Sequence, residues 1–343
     1  MSFNVTIRPS GRQFQVDAGE PVLSAALRHG VGLPYGCKNG ACGSCKGRVI
    51  EGAVEQAAHS SSALANDEKT RGFALFCCAQ ATSDLEIEIR EIAGVGDMPA
   101  KKLPCRVSAL ERAADDVMIV RLQLPANERL QYLAGQYLEF ILKDGKRRAY
   151  SIATAPHAEG LLELHIRHLP GGQFTDHVFS AMKARDMLRF EGPLGTFFLR
   201  EDSDKPIVLL ASGTGFAPIK AIVEQAIYKK ITRPIALYWG ARTRPDLYLE
   251  ALGAQWTTEL PNFRFIPVLS EPTPQDTWDG RTGFVHHAVI ADLPDLSAYQ
   301  VYACGAPVMV ESAQRDFTAN HGLPAEEFYA DAFTSEADLV NAV

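Results

Sequence analysis

Residues 34–49, PYGCKNGACGSCKGRV, and residues 74–84, ALFCCAQATSD, hold four cysteines in a fixed pattern: Cys37, Cys42 and Cys45 form C-x4-C-x2-C, and Cys77 follows after 31 intervening residues. This is the thiolate spacing that holds a [2Fe-2S] cluster. Gly36, Gly40, Gly43 and Gly47 are interleaved with the first three thiols, and a chain without Cβ atoms can turn its amides towards sulfide. Structural zinc is the competing use of four cysteines. Such sites favour two paired C-x2-C knuckles, and the pattern contains one. Clusters with this spacing sit near about −400 mV, so the chain reads as a carrier of single electrons.

Working outward, 343 residues are too many for one core and predict two or three domains. A hydrophobic fraction of 46% and a charged fraction of 22% fit an ordinary globular protein. No run of eighteen apolar residues occurs, and the opening MSFNVTIRPS lacks a basic stretch leading into an apolar one. The expectation is a cytoplasmic protein with no membrane partner. Cys78, Cys105 and Cys304 are scattered and make no even disulfide framework, which fits a reducing compartment. A net charge of −7 argues against nucleic acid as a partner. Charge is unevenly spread: Lys and Arg outnumber Asp and Glu by 15 to 11 over residues 101–200, and are outnumbered by 19 to 10 over 201–343. A basic middle segment suits an anionic cofactor, and a solvated basic face would give the same count.

Residues 3–8 and 12–17 alternate as strands about Pro9-Ser10-Gly11. PVLSAALRHG then predicts a short helix, with Pro21 at its first position and Val22, Leu23, Ala26 and Leu27 on one face. A strand near 47–51, a helix near 63–70 and a strand at 85–90 complete a β-grasp order. The stretch from Ala93 to Lys102 mixes Gly, Pro and charge without period and reads as a linker. From Pro104 to about Arg200, short strands separated by Gly, Pro and Asn predict an antiparallel barrel. After Lys205 the continuous apolar run PIVLLAS, a glycine turn, a helix over 217–230 and the strand PIALYWG predict a parallel α/β sheet. The expected domains are 1–97, 101–201 and 204–343: a multidomain chain of α+β, all-β barrel and α/β parts.

Arg148-Ala149-Tyr150-Ser151 resembles the RxYS flavin motif of the ferredoxin-NADP reductase superfamily. The resemblance implies that Arg148 reaches the FAD pyrophosphate, Tyr150 packs on the flavin, and Ser151 lies near the atom that accepts hydride. An arginine fork suits a pyrophosphate. Downstream, Leu162, Leu164 and Ile166 alternate with Glu163, His165 and Arg167 before Gly171-Gly172-Gln173-Phe174-Thr175 opens a helix. This is similar to the family's second phosphate site, and it marks Arg167, Gly172, Gln173, Phe174 and Thr175 as cofactor-binding. Gly192-Pro193-Leu194-Gly195-Thr196-Phe197 resembles the turn that closes the family's barrel. Gly213, Thr214 and Gly215 in ASGTGFAP, Arg242 in YWGAR, and Cys304-Gly305 in YACGAP resemble the nicotinamide dinucleotide site. Phe333, in FYADAF, resembles the aromatic that covers the flavin. Ser151, Cys304 and Phe333 are the candidate catalytic residues.

Against the plant ferredoxin ending, Cys77 falls in register as the fourth ligand and Cys78 at an apolar position, a small core residue like Cys105. Ser270 and Glu271 occupy the place where NADPH-using relatives often carry Ser-Arg. Glu271 would repel a 2′-phosphate, so NADH is favoured, although Arg242 and Arg244 stand close by in sequence. The domain order resembles CDP-6-deoxy-Δ3,4-glucoseen reductases and the reductase components of ring-hydroxylating oxygenases. The function implied is an NAD(P)H-dependent reductase that splits an electron pair from NADH and exports single electrons through [2Fe-2S] to a redox protein, a dehydratase or an oxygenase component. The alternatives are a ferredoxin module on an inert flavin scaffold and a free-standing NADH oxidase. His165 and His168 are expected as surface histidines, His286 and His287 likewise, and Trp256 and Trp278 as packing or surface residues.

Overall fold

The computed structural model describes residues 1–96, 98–158 and 160–334, so Asp97, where the first expected domain ends, Glu159 and the final stretch of the expected 204–343 domain lie outside the described residues. The chain separates into two compact units, the first built from residues 1–100 and the second from Lys101–Phe333.

In the first unit β1 (Ser2–Arg8) and β2 (Gln13–Asp17) form the expected hairpin. Period-two alternation places Val5, Ile7, Phe14 and Val16 inside. Next come α1 (Val22–Arg28), β3 (Lys46–Glu51), β4 (Val54–Gln56), α2 (Asn66–Thr70), β5 (Phe73–Leu75), β6 (Ala79–Ala81) and β7 (Leu85–Glu88). The main sheet runs β2-β1-β7-β3-β5, with β1 parallel to β7, and β4 pairs with β6. Two sequence expectations shift here. Pro21 is the N-cap of α1, extended at ψ 140°, and lies outside the helix. The inward face is Val22, Ala25 and Ala26, with Leu23 beside it, because i, i+3 and i+4 share a side; Leu27 is half-buried. Likewise α2 begins only at Asn66, since Ala63 and Leu64 are buried in the turn before it.

The second unit opens with β8 (Lys101–Ala114), β9 (Val117–Gln123), β10 (Tyr137–Ile141), β11 (Arg147–Ser151), β12 (Leu161–Arg167), α3 (Gln173–Ser180) and β13 (Met187–Leu194). Its six strands are antiparallel in the order β11-β10-β13-β8-β9-β12, and a bridge between Ile152 and Leu164 joins the two ends into a barrel. Inside are Cys105, Val120, Leu122, Leu138, Phe140, Leu164 and Phe190, each of the large side chains stabilising by about 1.5–3 kcal/mol.

A parallel sheet follows: β14 (Ile207–Ser212), α4 (Phe216–Tyr228), β15 (Ile235–Ala241), α5 (Glu250–Glu259), β16 (Phe263–Leu269), β17 (Arg281–Thr282), α6 (Val285–Asp292), β18 (Gln300–Gly305), α7 (Pro307–Asn320) and β19 (Phe328–Ala332), in the order β17-β16-β15-β14-β18-β19. Burial of β14 on both faces explains its unbroken apolar run. Residues of α4 and α5 pack with one face of the sheet, around Phe216, Trp239 and Trp256, and those of α6 and α7 with the other, around Tyr238, Val301 and Phe317. Trp256 is therefore core. Trp278 is half-buried, its indole donating to the Arg281 carbonyl at 2.9 Å. Among the described residues no helix is long and apolar enough to cross a membrane.

Candidate redox sites

The loop between α1 and β3 brings the first three cysteines together, and the turn between β5 and β6 supplies the fourth. Amides of Cys37 and Cys42 each donate to the other's Sγ at 3.3 Å, and the Cys77 amide donates to Cys45 Sγ at 3.4 Å. Cys77 Sγ itself reaches the thiols of Cys37 and Cys45. Gly40, at φ +80°, is where the loop needs glycine: a Cβ there would lie 2.8 Å from the His59 Cβ and 3.0 Å from Cys78 Sγ. Four converging sulfurs ringed by N–H donors fit a [2Fe-2S] cluster, whose sulfurs need such donors. Cys78 departs from expectation. The β5–β6 turn, closed by its amide on Leu75 O at 2.9 Å, leaves it partly exposed and 3.5 Å from Cys77 Sγ, whereas Cys105 is fully in the core.

In the second unit three residues distant in sequence meet. Ser151 Oγ, at the end of β11, donates to Asp331 Oδ2 at 3.2 Å, and the Cys304 thiol lies 3.7 Å from the same oxygen. Parallel register between β18 and β19 sets Cys304 opposite Asp331, and all three side chains are buried. Burial, reinforced by Asp331, pushes the Cys304 thiol well above its ordinary range, so it stands there as a neutral donor. Phe333 follows at once; its amide donates to Gly305 O at 2.8 Å while its ring stays exposed.

The glycine turn Gly213–Gly215 lies between β14 and α4. A Cβ on Gly215 would come within 2.2 Å of the Cys304 carbonyl oxygen, and one on Gly305, at φ +129°, within 2.4 Å of Ser212 Oγ. Only glycine lets these backbones approach. Arg167 lies over Gly213, its Nη1 2.8 Å from where a Cβ would stand, and its buried Nε has Asp116 Oδ2 at 3.1 Å but makes no well-aligned hydrogen bond. Thus Arg167, Gly213, Thr214, Gly215, Cys304, Gly305 and Ser151 gather at the carboxyl ends of the parallel strands, the position where open α/β sheets take ligands. A half-buried cation beside glycine-lined backbone fits a dinucleotide pyrophosphate.

Other expected residues are placed differently. Tyr150 packs against Phe140 and Phe174, with ring centroids 5.9 and 5.6 Å away, and burial raises its hydroxyl's titration. Strand alternation puts Arg148 and Tyr150 on the face opposite Ser151, and Arg148 Nη1 donates to the Arg147 carbonyl at 2.7 Å. Phe174 belongs to the barrel core. Thr175 spends its hydroxyl on Leu169 and Gly172, while Gly172 caps α3 and Gln173 is exposed. Backbone bonds from Ser270 to Ala241 and from Glu271 to Arg242, both 2.9 Å, bring those pairs together. Arg242 is largely exposed, 3.5 Å from Asp246, and Arg244 is held by Glu250 at 2.9 Å.

Sequence reasoning misses Asp331; a lone acid in the short strand FYADA is its signal. The histidine expectations also need correction. His165 is buried completely, with Nδ1 2.8 Å from the Tyr248 hydroxyl and Nε2 3.1 Å from Glu163, because this face of β12 is covered by the parallel-sheet domain. His168 is half-buried, stacked on Phe179 and bonded to Asp176. His286 and His287 are in the first turn of α6, and His287 is exposed as expected. His286 is buried, the two rings lie 4.2 Å apart, and with Asp316 they bring three metal-competent atoms within 4.8 Å, although Arg315 already pairs with that carboxylate.

Three family matches cover these regions in order: the 2Fe-2S iron-sulfur cluster binding domain over residues 5–82, the oxidoreductase FAD-binding domain over 104–199, and the oxidoreductase NAD-binding domain over 209–315. The CDP-6-deoxy-L-threo-D-glycero-4-hexulose-3-dehydrase reductase of Yersinia pseudotuberculosis is 42% identical over 97% of this chain and 99% of its own. The chain belongs to the ferredoxin-domain flavoprotein reductases. This reductase is also 35% identical to terephthalate 1,2-dioxygenase reductase component 2 of Comamonas, over 98% of each chain. Among solved structures, the Amycolatopsis cytochrome P450 reductase superposes with a TM-score of 0.79 at 34% identity, over 97% of this chain and 99% of that one. The reductase is an NAD(P)H-dependent oxidoreductase whose domains bind [2Fe-2S], FAD and NAD(H).

Proposed function

We propose that this reductase takes electrons from NADH and delivers them singly, through Cys37, Cys42, Cys45 and Cys77, to a separate redox protein of the sugar-nucleotide dehydrase kind. Its 42% identity to a dehydrase reductase over nearly the full length of both chains supports that partner class ahead of an oxygenase component. The domains responsible would be 1–97, 101–201 and 204–343. When bound, FAD accepts a hydride's electron pair and releases it in single steps that the [2Fe-2S] cluster can carry.

The observation that carries the reading is the meeting of Ser151, Cys304 and Asp331. In this reading, Asp331 accepts from both Ser151 and Cys304 and so fixes their hydrogens in a buried pocket, where hydride transfer needs no proton from either. Arg167 and the amides of Gly213–Gly215 hold the dinucleotide pyrophosphate, Arg148, Tyr150, Gly172, Gln173, Phe174 and Thr175 form the flavin side, and Phe333 covers the flavin until nicotinamide displaces it. Engagement of Arg244 by Glu250 and the exposed carboxylate of Glu271 favour NADH over NADPH. Seven cysteines, none of them in a disulfide, support a reducing cytoplasm. Anaerobic titration of the holoenzyme tests this: NADH should bleach the flavin stoichiometrically, whereas a flavin bleached by neither NADH nor NADPH would leave only the ferredoxin-module alternative. Peroxide formation as fast as acceptor-linked turnover would favour the oxidase instead.

A further inference from the structure

Strand β12 serves two domains at once. Leu162, Leu164 and Ile166 point into the barrel core, while the alternating residues Glu163, His165 and Arg167 all meet the parallel-sheet domain. Glu163 Oε1 is 3.4 Å from Lys220 Nζ on α4, and its Oε2 is 3.1 Å from Arg121 Nε on neighbouring β9. His165 is the middle link. A carboxylate can only accept, so Nε2–H donates to Glu163, which leaves Nδ1 to accept from the Tyr248 hydroxyl. The imidazole between them is fully buried, and while it is neutral both directions are fixed.

Tyr248 carries the constraint onward. Its ring stands at 90° to Trp239 with centroids 5.3 Å apart, and at 89° to Phe216. Those two rings stack on each other at 3.9 Å, and the Trp239 indole donates to the Gly213 carbonyl at 3.0 Å. An unbroken path of hydrogen bonds and ring contacts therefore runs from the flavin barrel to the glycine turn. Lys220 gives a second hold on α4, which begins at that turn, through Glu163 and the Ala153 carbonyl.

We propose that His165 is a positioning residue: by joining Glu163 to Tyr248 it sets the angle of the Gly213–Gly215 turn against the barrel, and with it the approach of bound nicotinamide to the Ser151 end of the site. The proposal rests on the NADH-to-flavin reading above. His165 touches neither substrate nor cofactor. It acts through distance, to which hydride transfer is sensitive, since a shift of about 1 Å costs up to roughly a hundredfold in rate.

Stopped-flow flavin reduction in the anaerobic holoenzyme, with NADH varied, tests it. Tyr248→Phe removes one oxygen and keeps the ring stack. It should slow reduction at saturating NADH by roughly tenfold while the NADH dissociation constant stays within about twofold and the melting temperature within a few degrees. His165→Ala should slow it at least as much, His165→Gln should recover part of the loss, and the double variant Tyr248→Phe/His165→Ala should be no slower than the worse single variant. If Tyr248→Phe reduces its flavin at the wild-type rate, or if the two losses multiply, the proposal is overturned. Should His165→Ala fail to fold, Tyr248→Phe decides alone. Failure of the wild-type flavin to bleach with NADH would overturn the functional reading itself, a result visible before any variant is made.

Discussion

The two units place their chemistry in opposite ways. In the first, four sulfurs come from a span of 41 residues, three of them from one loop whose shape is set by local turns. In the second, Ser151 and Asp331 are 180 residues apart and meet only because a barrel strand and a parallel-sheet edge are both in place. A site made by local geometry can fail alone, whereas a site made by tertiary assembly transmits damage to everything that depends on it.

Removing one sulfur should give the widest separation of effects. Cys42→Ser should cut reduction of a one-electron protein acceptor such as cytochrome c by more than about a hundredfold and leave NADH-ferricyanide activity within about twofold, because a thiolate ligand is lost and nothing in the second unit is touched. Loss of both activities together would break the comparison. Asp331→Ala should do the reverse. It strands the Ser151 hydroxyl and Cys304 thiol in a buried site, a loss of about 1–3 kcal/mol, so flavin reduction should fall by about five- to a hundredfold and both acceptor activities with it. Unequal loss of the two activities would place Asp331 outside the shared path.

A smaller effect should follow at the dinucleotide's far end. Glu271→Arg trades repulsion of a 2′-phosphate for attraction at an exposed position, where about 1 kcal/mol is the ceiling, so kcat/KM with NADPH should rise about fivefold and cluster content should not change. An unchanged NADPH/NADH ratio would remove Glu271 from the specificity argument.

Acidification should produce the smallest effect. Burial, opposed by Glu163 and abetted by Lys220 and Arg121, lowers the pKa of His165. Below the ordinary histidine value near 6.5 the unfolded chain takes up a proton that the folded chain refuses, so stability is lost as pH falls from there, by at most about 1.4 kcal/mol per pH unit. Between about pH 7.5 and about pH 5.5 the melting temperature of His165→Gln should therefore drop about 2 °C less than that of the wild type. Equal drops would mean that His165 is protonated in the folded protein.

The same contrast explains what sequence reading reaches. Cysteine spacing is a local record, and so are the alternation of β1 and β2, the unbroken apolar run of β14 and the glycine turn after it; all of these are legible. The RxYS and CG segments can be found by resemblance, and the structure sets Ser151 and Cys304 within reach of one carboxylate. That carboxylate cannot be found the same way, because Asp331 gains its meaning only from the register of β18 with β19. His165 reads as a surface residue for a related reason: alternation shows that a residue leaves one core, and gives no sign that a second domain waits on the other side. The inward face of α1 misleads more simply, since the apolar letter at Leu27 draws attention to a position that the helical period leaves beside the face it gives to Ala25.

Strand β12 also limits how this architecture can be recombined. A one-residue slip of β12 in its register would exchange the greasy lining with the polar seam in a single step, injuring both folds at once. Chimeras that swap the nucleotide lobe between relatives should therefore inherit positions 163, 165, 220 and 248 as one cassette, and breeding experiments that split that set should yield hybrids with intact colour but sluggish turnover.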